Sequence, residues 1–334
     1  MSVDTLVSEE QAAIVRSVVQ VLEREFTLAQ AHRSGGAHLG PDTWRHVADL
    51  GWTSVGLSEA HGGLGMTICE DVLVHQALGE HLVSPSVLAT TIALRLAADA
   101  ERADIASALS EGRTHAAFAL RRNEADRGQV YLIDASDAGF VVVVGGLELA
   151  LVDAAVLGLR EPLDSLDPTV GLEATTLDAS ASFIATSRDL VADLDLLVAA
   201  HLCGLALAAN AMAVDYAKLR HQFGRPIGAF QAISHMAANG AMRAEAALQQ
   251  TRFASIAARD GRRDARFQTA AASLLAAEAA FKNATDNIQI HGGMGFSAEA
   301  HPHLVLKRAV LMQHLIGNGE VQRATLMSDA AGLE

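Results

Sequence analysis

The chain has 334 residues, which is enough for about two domains and a sizeable core. Half of the residues are hydrophobic but only 4% are aromatic, so Ala, Leu and Val dominate, which favours a mainly helical protein and excludes a disordered one. The formal net charge of -14 argues against nucleic acid or an anionic membrane surface as the main partner.

Cysteine usage and the first residues indicate the compartment. Cys69 and Cys203 lie far apart and form neither a zinc pattern nor a CxxC motif, so we expect two reduced core thiols and no metal site. The start, Met1 to Asp4, is polar and acidic, unlike a signal peptide. The apolar run Val141–Leu157 contains glycines and acids and is no membrane span. We therefore expect a cytoplasmic protein.

The first part of the chain reads as a helical domain over residues 1–115. A capping-box pattern at Ser8–Gln11 precedes apolar residues at helical spacing, Ile14, Val18 and Leu22. Further helices are predicted over 42–50, 70–82, 86–98 and 103–109, with glycine-rich loops between several of them.

The pattern changes at Ala116 to short β-type runs separated by turn residues. Strands are predicted over 117–120, 130–133, 140–144, 150–152, 155–157 and 174–177. This block, residues 116–187, is small for an independent β domain.

Residues 188–334 return to helical patterns. Long helices are predicted over 190–220, 233–261 and 266–292, followed by a fourth over 302–315. Four helices with short connections indicate a four-helix bundle.

Two stretches of the bundle carry residues suited to an anionic ligand. The first, Arg220–Ile227 with Gln231 after it, connects two long helices, and Arg can bind a phosphate through two hydrogen bonds. By itself it could equally be a basic helix end that complements the helix dipole. The second, Gln289–Phe296, has Gly292, Gly293 and Gly295, which allow a ligand to approach the backbone. It could also be an ordinary helix terminator.

Taken together, these motifs make the chain resemble the acyl-CoA dehydrogenase family over essentially its whole length. The two specific motifs are Arg220-x-x-Phe223-Gly224-x-Pro226-Ile227 with Gln231, and Gln289-x-His291-Gly292-Gly293-Met294-Gly295. Supporting residues are Trp44, Leu50–Trp52, Glu59–Gly65, Glu70, Leu78–Glu80, Leu166–Thr169 and Glu299. The resemblance implies a helical N-terminal domain, a β-barrel-like middle domain, here reduced, and a C-terminal four-helix bundle, in the order read above.

In that family a carboxylate removes the α-proton of an acyl-CoA thioester while FAD accepts hydride from Cβ. The usual base is the glutamate of a Tyr-Glu-Gly-Thr element, and Ile316 stands at that position in this chain, in register with Glu320–Arg323. An isoleucine cannot accept a proton.

Other members carry the base at the start of the helix that leads to the Arg220 motif. Leu194 occupies that position here, between Asp193 and Asp195. Neighbouring helix residues point about 100° apart, so neither aspartate projects as that glutamate would. Asp193 and Asp195 remain candidates for a base, as do His314 and Glu320. Glu320 shares a helical face with Ile316 only if helix continues past Gly317 and Gly319.

The middle block also lacks the family's flavin-contacting Glu-Pro-x-x-Gly-Ser and Trp-Ile-Thr segments. In the family, the Arg220 and Gln289 motifs hold the FAD of a neighbouring subunit, whereas the base and the middle domain act on a subunit's own FAD. The chain thus keeps what acts across an interface and lacks what acts within one subunit.

The resemblance therefore predicts a non-catalytic subunit of a heteromeric acyl-CoA dehydrogenase, with a catalytic partner that binds the acyl-CoA. By analogy with similar assemblies, the resemblance also suggests a bulky or steroid-derived acyl-CoA. Arg220, Phe223, Gln231, Gln289, Gly292 and Gly293 would complete an FAD site shared with that partner. Two alternatives stay open: a self-sufficient homomeric flavoprotein with a displaced base, and a cofactor-free scaffold or regulatory subunit.

Overall fold

The computed structural model describes residues 5–28, 39–121, 128–145, 147–177 and 183–330. They fall into two compact units, each assembled from separate stretches of chain. One unit takes Met1–Ala29, Val72–Leu82 and Asp195–Glu334, and the other takes Gln30–Asp71 and Val83–Leu194. The domain boundaries predicted between residues 115 and 116 and between residues 187 and 188 divide the chain into three consecutive stretches. They remain predictions.

The helices lie close to where the sequence pattern places them. Before the sheet they are α1 (Glu9–Glu25), α2 (Pro41–Asp49), α3 (Ile68–Glu80), α4 (Pro85–Asp99) and α5 (Ala103–Ser110). The capping box predicted for α1 is formed, because the Gln11 N–H donates to Ser8 Oγ over 3.1 Å and the Ser8 N–H donates to Gln11 Oε1.

The second unit contains a mixed seven-stranded sheet. Its strands are β1 (Ala116–Arg121), β2 (Gln129–Ile133), β3 (Phe140–Val144), β4 (Leu149–Asp153), β5 (Glu161–Leu163), β6 (Leu172–Thr176) and β7 (Ala185–Ser187). Their spatial order is β5-β6-β2-β1-β3-β4-β7, with β1 and β3 parallel and the other neighbours antiparallel. Alternate residues of β1 to β4 form one buried apolar cluster on one face of the sheet.

The helix α4 is almost wholly buried and packs on β1, β3, β4 and β7. The Ala116 N–H of β1 donates to Thr90 Oγ1 of α4 over 3.0 Å. A helix this apolar all round is suited to the interior of a domain and not to its surface.

One predicted strand, over residues 155–157, is wrong. Ala154–Val156 is a short 3-10 turn instead, and Leu157 makes only an isolated bridge to Leu177. The Ala155 N–H donates to Asp153 Oδ1 over 2.8 Å, and this side-chain cap turns the chain at the end of β4.

The four long helices predicted after the sheet are confirmed as α6 (Leu190–Leu219), α7 (Gln231–Arg259), α8 (Ala265–His291) and α9 (Pro302–Leu315), and a further helix, α10 (Glu320–Ala330), follows. By length and hydropathy alone, α6 could cross a membrane. However, 72% of its most apolar 18-residue stretch is buried in the folded chain, as in the core helix of a bundle. The mainly helical fold with a smaller β part is confirmed.

Candidate functional site

The first motif forms a tight hairpin between α6 and α7. The strands β8 (His221–Gln222) and β9 (Arg225–Pro226) pair antiparallel around Phe223 and Gly224. Both turn residues have positive φ, 53° and 78°, as a two-residue hairpin turn of type I′ requires. The Ile227 N–H donates to the Arg220 carbonyl oxygen over 2.8 Å and closes the base of the hairpin.

Aromatic contacts connect this hairpin to the start of α7. The Phe223 ring is 90% exposed and meets Phe230 edge to face, with centroids 6.1 Å apart and an interplanar angle of 84°. The Arg225 Cζ atom lies 4.1 Å above the centroid of the same Phe230 ring. Gln231 follows Phe230 directly and is exposed at the first position of α7.

The second motif forms the end of α8. Gly292 has φ 62° and ψ -138°, a conformation that is essentially limited to glycine, and Gly292–Phe296 then form a 3-10 turn. Among the described residues, no heavy atom outside the adjoining backbone lies within 4 Å of where a Cβ on Gly224, Gly292 or Gly293 would stand. A ligand therefore has space to approach the backbone at all three positions.

A ring stack brings the two motifs to the same end of the bundle. Tyr216, four residues before Arg220, stacks on His291 with ring centroids 4.1 Å apart and an angle of 22°. His291 Nδ1 lies 2.9 Å from the Asn287 carbonyl oxygen, so Nδ1 carries the proton of the neutral ring. Ala213, Ala217 and Ile290 form a buried apolar cluster beneath this junction, joined by Ile227, Ile233 and Met236.

The charge at this end of the bundle suits an anion. Arg220 is exposed, and no acid within the described ranges is ion-paired with it. Gln289 is exposed beside the glycine turn. This end of the bundle thus presents an exposed guanidinium, two exposed amides and an open glycine turn, which together fit a phosphate-bearing ligand.

Both positions at which relatives in the resembled family carry a base are apolar and buried. Ile316 is 4% exposed at the end of α9, and Leu194 is 1% exposed in the first turns of α6. Neither side chain can accept a proton.

Asp193 belongs to a buried ion network and is not a free base. Arg95 pairs with both Asp193 and Asp71, and the Gly56 N–H donates to Asp71 Oδ1 over 3.2 Å. Burial raises the pKa of Asp71, although the Arg95 charge opposes that rise. The network binds α4 and α6 to the loop at Gly56, which is a structural role.

Asp195 lies on the side of α6 that faces the other helices of the bundle. The Gln322 Nε2 group donates to Asp195 Oδ2 over 2.8 Å, and Ser273 Oγ donates to the Asp195 carbonyl oxygen over 3.3 Å. Burial raises the pKa of the Asp195 carboxyl to about 7, with the Gln322 hydrogen bond acting in the opposite direction. Its proton affinity would suit a base, but its contacts are with the bundle's own helices.

The condition for Glu320 to share a face with Ile316 is not met. Gly317, Asn318 and Gly319 all have positive φ, which ends α9 at Leu315 before α10 begins at Glu320. Glu320 is exposed, and exposed His314 has its Nδ1 2.8 Å from the Val310 carbonyl oxygen of its own helix.

Sequence reasoning missed the residues that join the two motifs. Tyr216 is one of only two tyrosines, and its position one helical turn before Arg220 was a usable signal. Arg225 and Phe230 were visible only as parts of the first motif. Within the part of the chain that the structure describes, no group of three His, Cys, Asp or Glu side chains could hold a metal ion.

Solved structures of other proteins share this fold. The ChsE4-ChsE5 complex from Mycobacterium tuberculosis superposes with a TM-score of 0.82 at 20% identity, covering 98% of this chain and 99% of that one. A steroid ACAD named Tcur3481-Tcur3483 gives a TM-score of 0.82 at 22% identity, covering 98% of this chain and all of that one.

Sequence relatives agree with the fold. The acyl-CoA dehydrogenase FadE34 of Mycobacterium tuberculosis is 31% identical over 86% of this chain, which spans only 43% of that protein. The acyl-CoA dehydrogenase IpdE2 of Mycolicibacterium smegmatis is 26% identical over 93% of this chain and 95% of its own length.

Sequence profiles of the family match at both ends of the chain. The acyl-CoA dehydrogenase N-terminal domain matches residues 8–103, and the C-terminal domain matches residues 196–330. Together the two profiles cover more than half of the residues, and the chain belongs to the acyl-CoA dehydrogenase family.

Proposed function

We propose that this chain is the non-catalytic subunit of a heteromeric, FAD-dependent acyl-CoA dehydrogenase. It binds to a catalytic family member and completes that partner's FAD site, while the partner binds the acyl-CoA and supplies the base. The proposal joins two properties of one chain: an intact anion-binding end of the bundle and the lack of a base.

The observation that carries the proposal is the contrast between these two parts. Ile316 and Leu194 fill both base positions with buried hydrocarbon, so neither position can abstract a proton. Arg220, Gln289 and the glycine turn nevertheless remain exposed and open. A general loss of function would not be expected to spare one set and replace the other.

The residues present fit FAD. Arg220 would neutralise pyrophosphate charge, and the open backbone at Gly292 and Gly293 would accept a close approach of the phosphates. Gln231 and Gln289 would donate hydrogen bonds to the ring or ribose, and the exposed Phe223 ring offers a flat apolar surface. When bound, FAD supplies the hydride acceptor that protein side chains lack.

Relatives support a partner and a bulky substrate. The structural neighbours include a protein described as a complex, ChsE4-ChsE5, and one described as a steroid ACAD, Tcur3481-Tcur3483. The chain matches less than half of FadE34, so that relative has room for a second segment of similar size. We propose a bulky, steroid-derived acyl-CoA as the substrate of the assembled enzyme.

The test is expression of the chain alone and together with an acyl-CoA dehydrogenase encoded beside it. We expect little FAD on the chain alone, and a yellow complex with one FAD per unlike pair, measured by absorbance after gel filtration. Full FAD occupancy with turnover by the chain alone would refute the proposal in favour of a homomeric enzyme.

Two variants distinguish the proposal from a cofactor-free scaffold. Arg220→Ala and Gln289→Ala should leave the complex assembled but lower its FAD content. The matched controls are Arg259→Ala and Gln249→Ala, which change the same residue types elsewhere on α7. A complex that keeps all of its FAD in both site variants would establish the scaffold role instead.

A further inference from the structure

Phe223 is held in an unfavourable setting. Its ring is 90% exposed, and its backbone has a positive φ of 53°, which is uncommon for any residue other than glycine. A bulky residue at such a turn needs neighbouring contacts to keep a single orientation.

Two hairpin side chains contact the same ring at the start of α7. Phe223 meets Phe230 edge to face, and the Arg225 guanidinium lies over the Phe230 face at 4.1 Å. Phe230 is itself anchored, because its N–H donates to the Ile227 carbonyl oxygen over 3.1 Å and its carbonyl accepts from the Ile233 N–H.

The position of Arg225 is explained by the ring and not by a carboxylate. Within the described ranges no acid is ion-paired with Arg225, whereas its guanidinium lies directly over Phe230. Arg220 directly precedes the hairpin, Phe223 lies in its turn, and Gln231 directly follows Phe230. The contact between Arg225 and Phe230 therefore connects the segments that carry these three proposed FAD contacts.

We propose that Arg225 is a positioning residue, which by stacking on Phe230 locks the hairpin so that Phe223, Arg220 and Gln231 are arranged for the cofactor before the partner binds. This inference rests on the proposed function. Its benefit is preorganisation: a hairpin that is already ordered loses less conformational entropy when the cofactor binds.

The first experiment measures FAD release from the co-purified complex, followed by the rise in flavin fluorescence on dilution. From the usual strength of an exposed cation–π contact, Arg225→Gln should speed release about threefold. Arg225→Lys keeps a cation above the ring and should stay within about twofold of the unmodified complex. Arg262→Gln is the matched control. Arg262 follows the C-terminal end of α7, and its Cζ atom lies 5.1 Å from the centroid of the Phe253 ring, so it makes the same kind of contact at the opposite end of the helix.

A double variant separates positioning from direct contact with the ligand. If Arg225 acts through Phe230, Arg225→Gln combined with Phe230→Leu should release FAD at the rate of Phe230→Leu alone. A further threefold increase in the double variant would show that Arg225 contacts the cofactor itself and would overturn the proposal. So would unchanged release in Arg225→Gln, or equal release in the Gln and Lys variants.

The second experiment uses the chain alone and needs no cofactor. Hydrogen exchange of residues 221–227, including the Ile227 amide bonded to Arg220, should be about threefold faster in Arg225→Gln than in the unmodified chain or Arg262→Gln. Equal exchange would overturn the positioning role. If the unmodified complex carries no FAD, the proposed function fails, but this readout still decides whether Arg225 orders the hairpin.

Discussion

Replacing Asp195 by asparagine should stabilise the chain, and by more as the pH rises. Burial raises the pKa of the Asp195 carboxyl to about 7, against 3.8 in an exposed aspartate. Between these pH values the unfolded chain carries the charge and the folded chain holds the proton. The free energy of unfolding therefore falls as pH rises from about 4 to about 7, and then levels off.

The size of the effect follows from the gap between the two pKa values. At about 1.4 kcal/mol per pKa unit, the charged carboxylate costs at most about 4 kcal/mol above pH 7. Because the residue is only partly buried, we expect about 2 kcal/mol. The side-chain amide introduced by Asp195→Asn would also supply a donor for Gln322 Oε1, a buried atom without a hydrogen-bond partner among the described residues.

The assay is urea unfolding of the unmodified chain and Asp195→Asn at pH 5, 6.5 and 8. Asp215→Asn is the matched control, since Asp215 is exposed on the same helix, α6. The stability gained by Asp195→Asn should grow over this range, while the control shows no such growth. A gain that is independent of pH, or a loss at pH 8, would contradict the reasoning.

Three further predictions follow from packing and charge. Gly204→Ala places a Cβ 2.1 Å from the Gln76 carbonyl oxygen of α3. It should lower the free energy of unfolding, measured in urea, by about 3 kcal/mol. Unchanged stability would refute so close a contact between the two helices. Gly293→Ala, which meets open space, should leave stability unaltered yet lower the FAD content of the complex, and a normal FAD content would argue against close approach at the glycine turn. Arg95→Met leaves Asp71 buried without its cation and should lower the free energy of unfolding by about 3–5 kcal/mol. Adding Asp71→Asn to this variant should restore most of that stability. A double variant that is no more stable than Arg95→Met would count against the ion network.

Local patterns predicted the elements well, because they depend on neighbours in sequence. Helical spacing located α6 to α9 within a few residues, and β-type runs located β1 to β4. The predicted strand at 155–157 failed because one side-chain cap, from Asp153, outweighed the apolar composition of those residues.

The site was only partly predictable, because its parts meet through tertiary contacts. Sequence motifs identified Arg220 and Gln289, but nothing local reveals that Tyr216 stacks on His291, 75 positions later. Likewise, Asp195 could be recognised as a candidate base from its place in α6, whereas its raised pKa arises from burial against Gln322 on another helix.

The left-handed backbone at Phe223 sets stability against binding at a single residue. Glycine would adopt this turn without strain, so Phe223→Gly removes a cost of about 1 kcal/mol while it also removes the edge-to-face contact with Phe230. The two effects are of similar size, so a selection for thermal stability alone would not detect the loss of the exposed ring. Screens that aim to stabilise this chain need a binding readout beside the melting temperature.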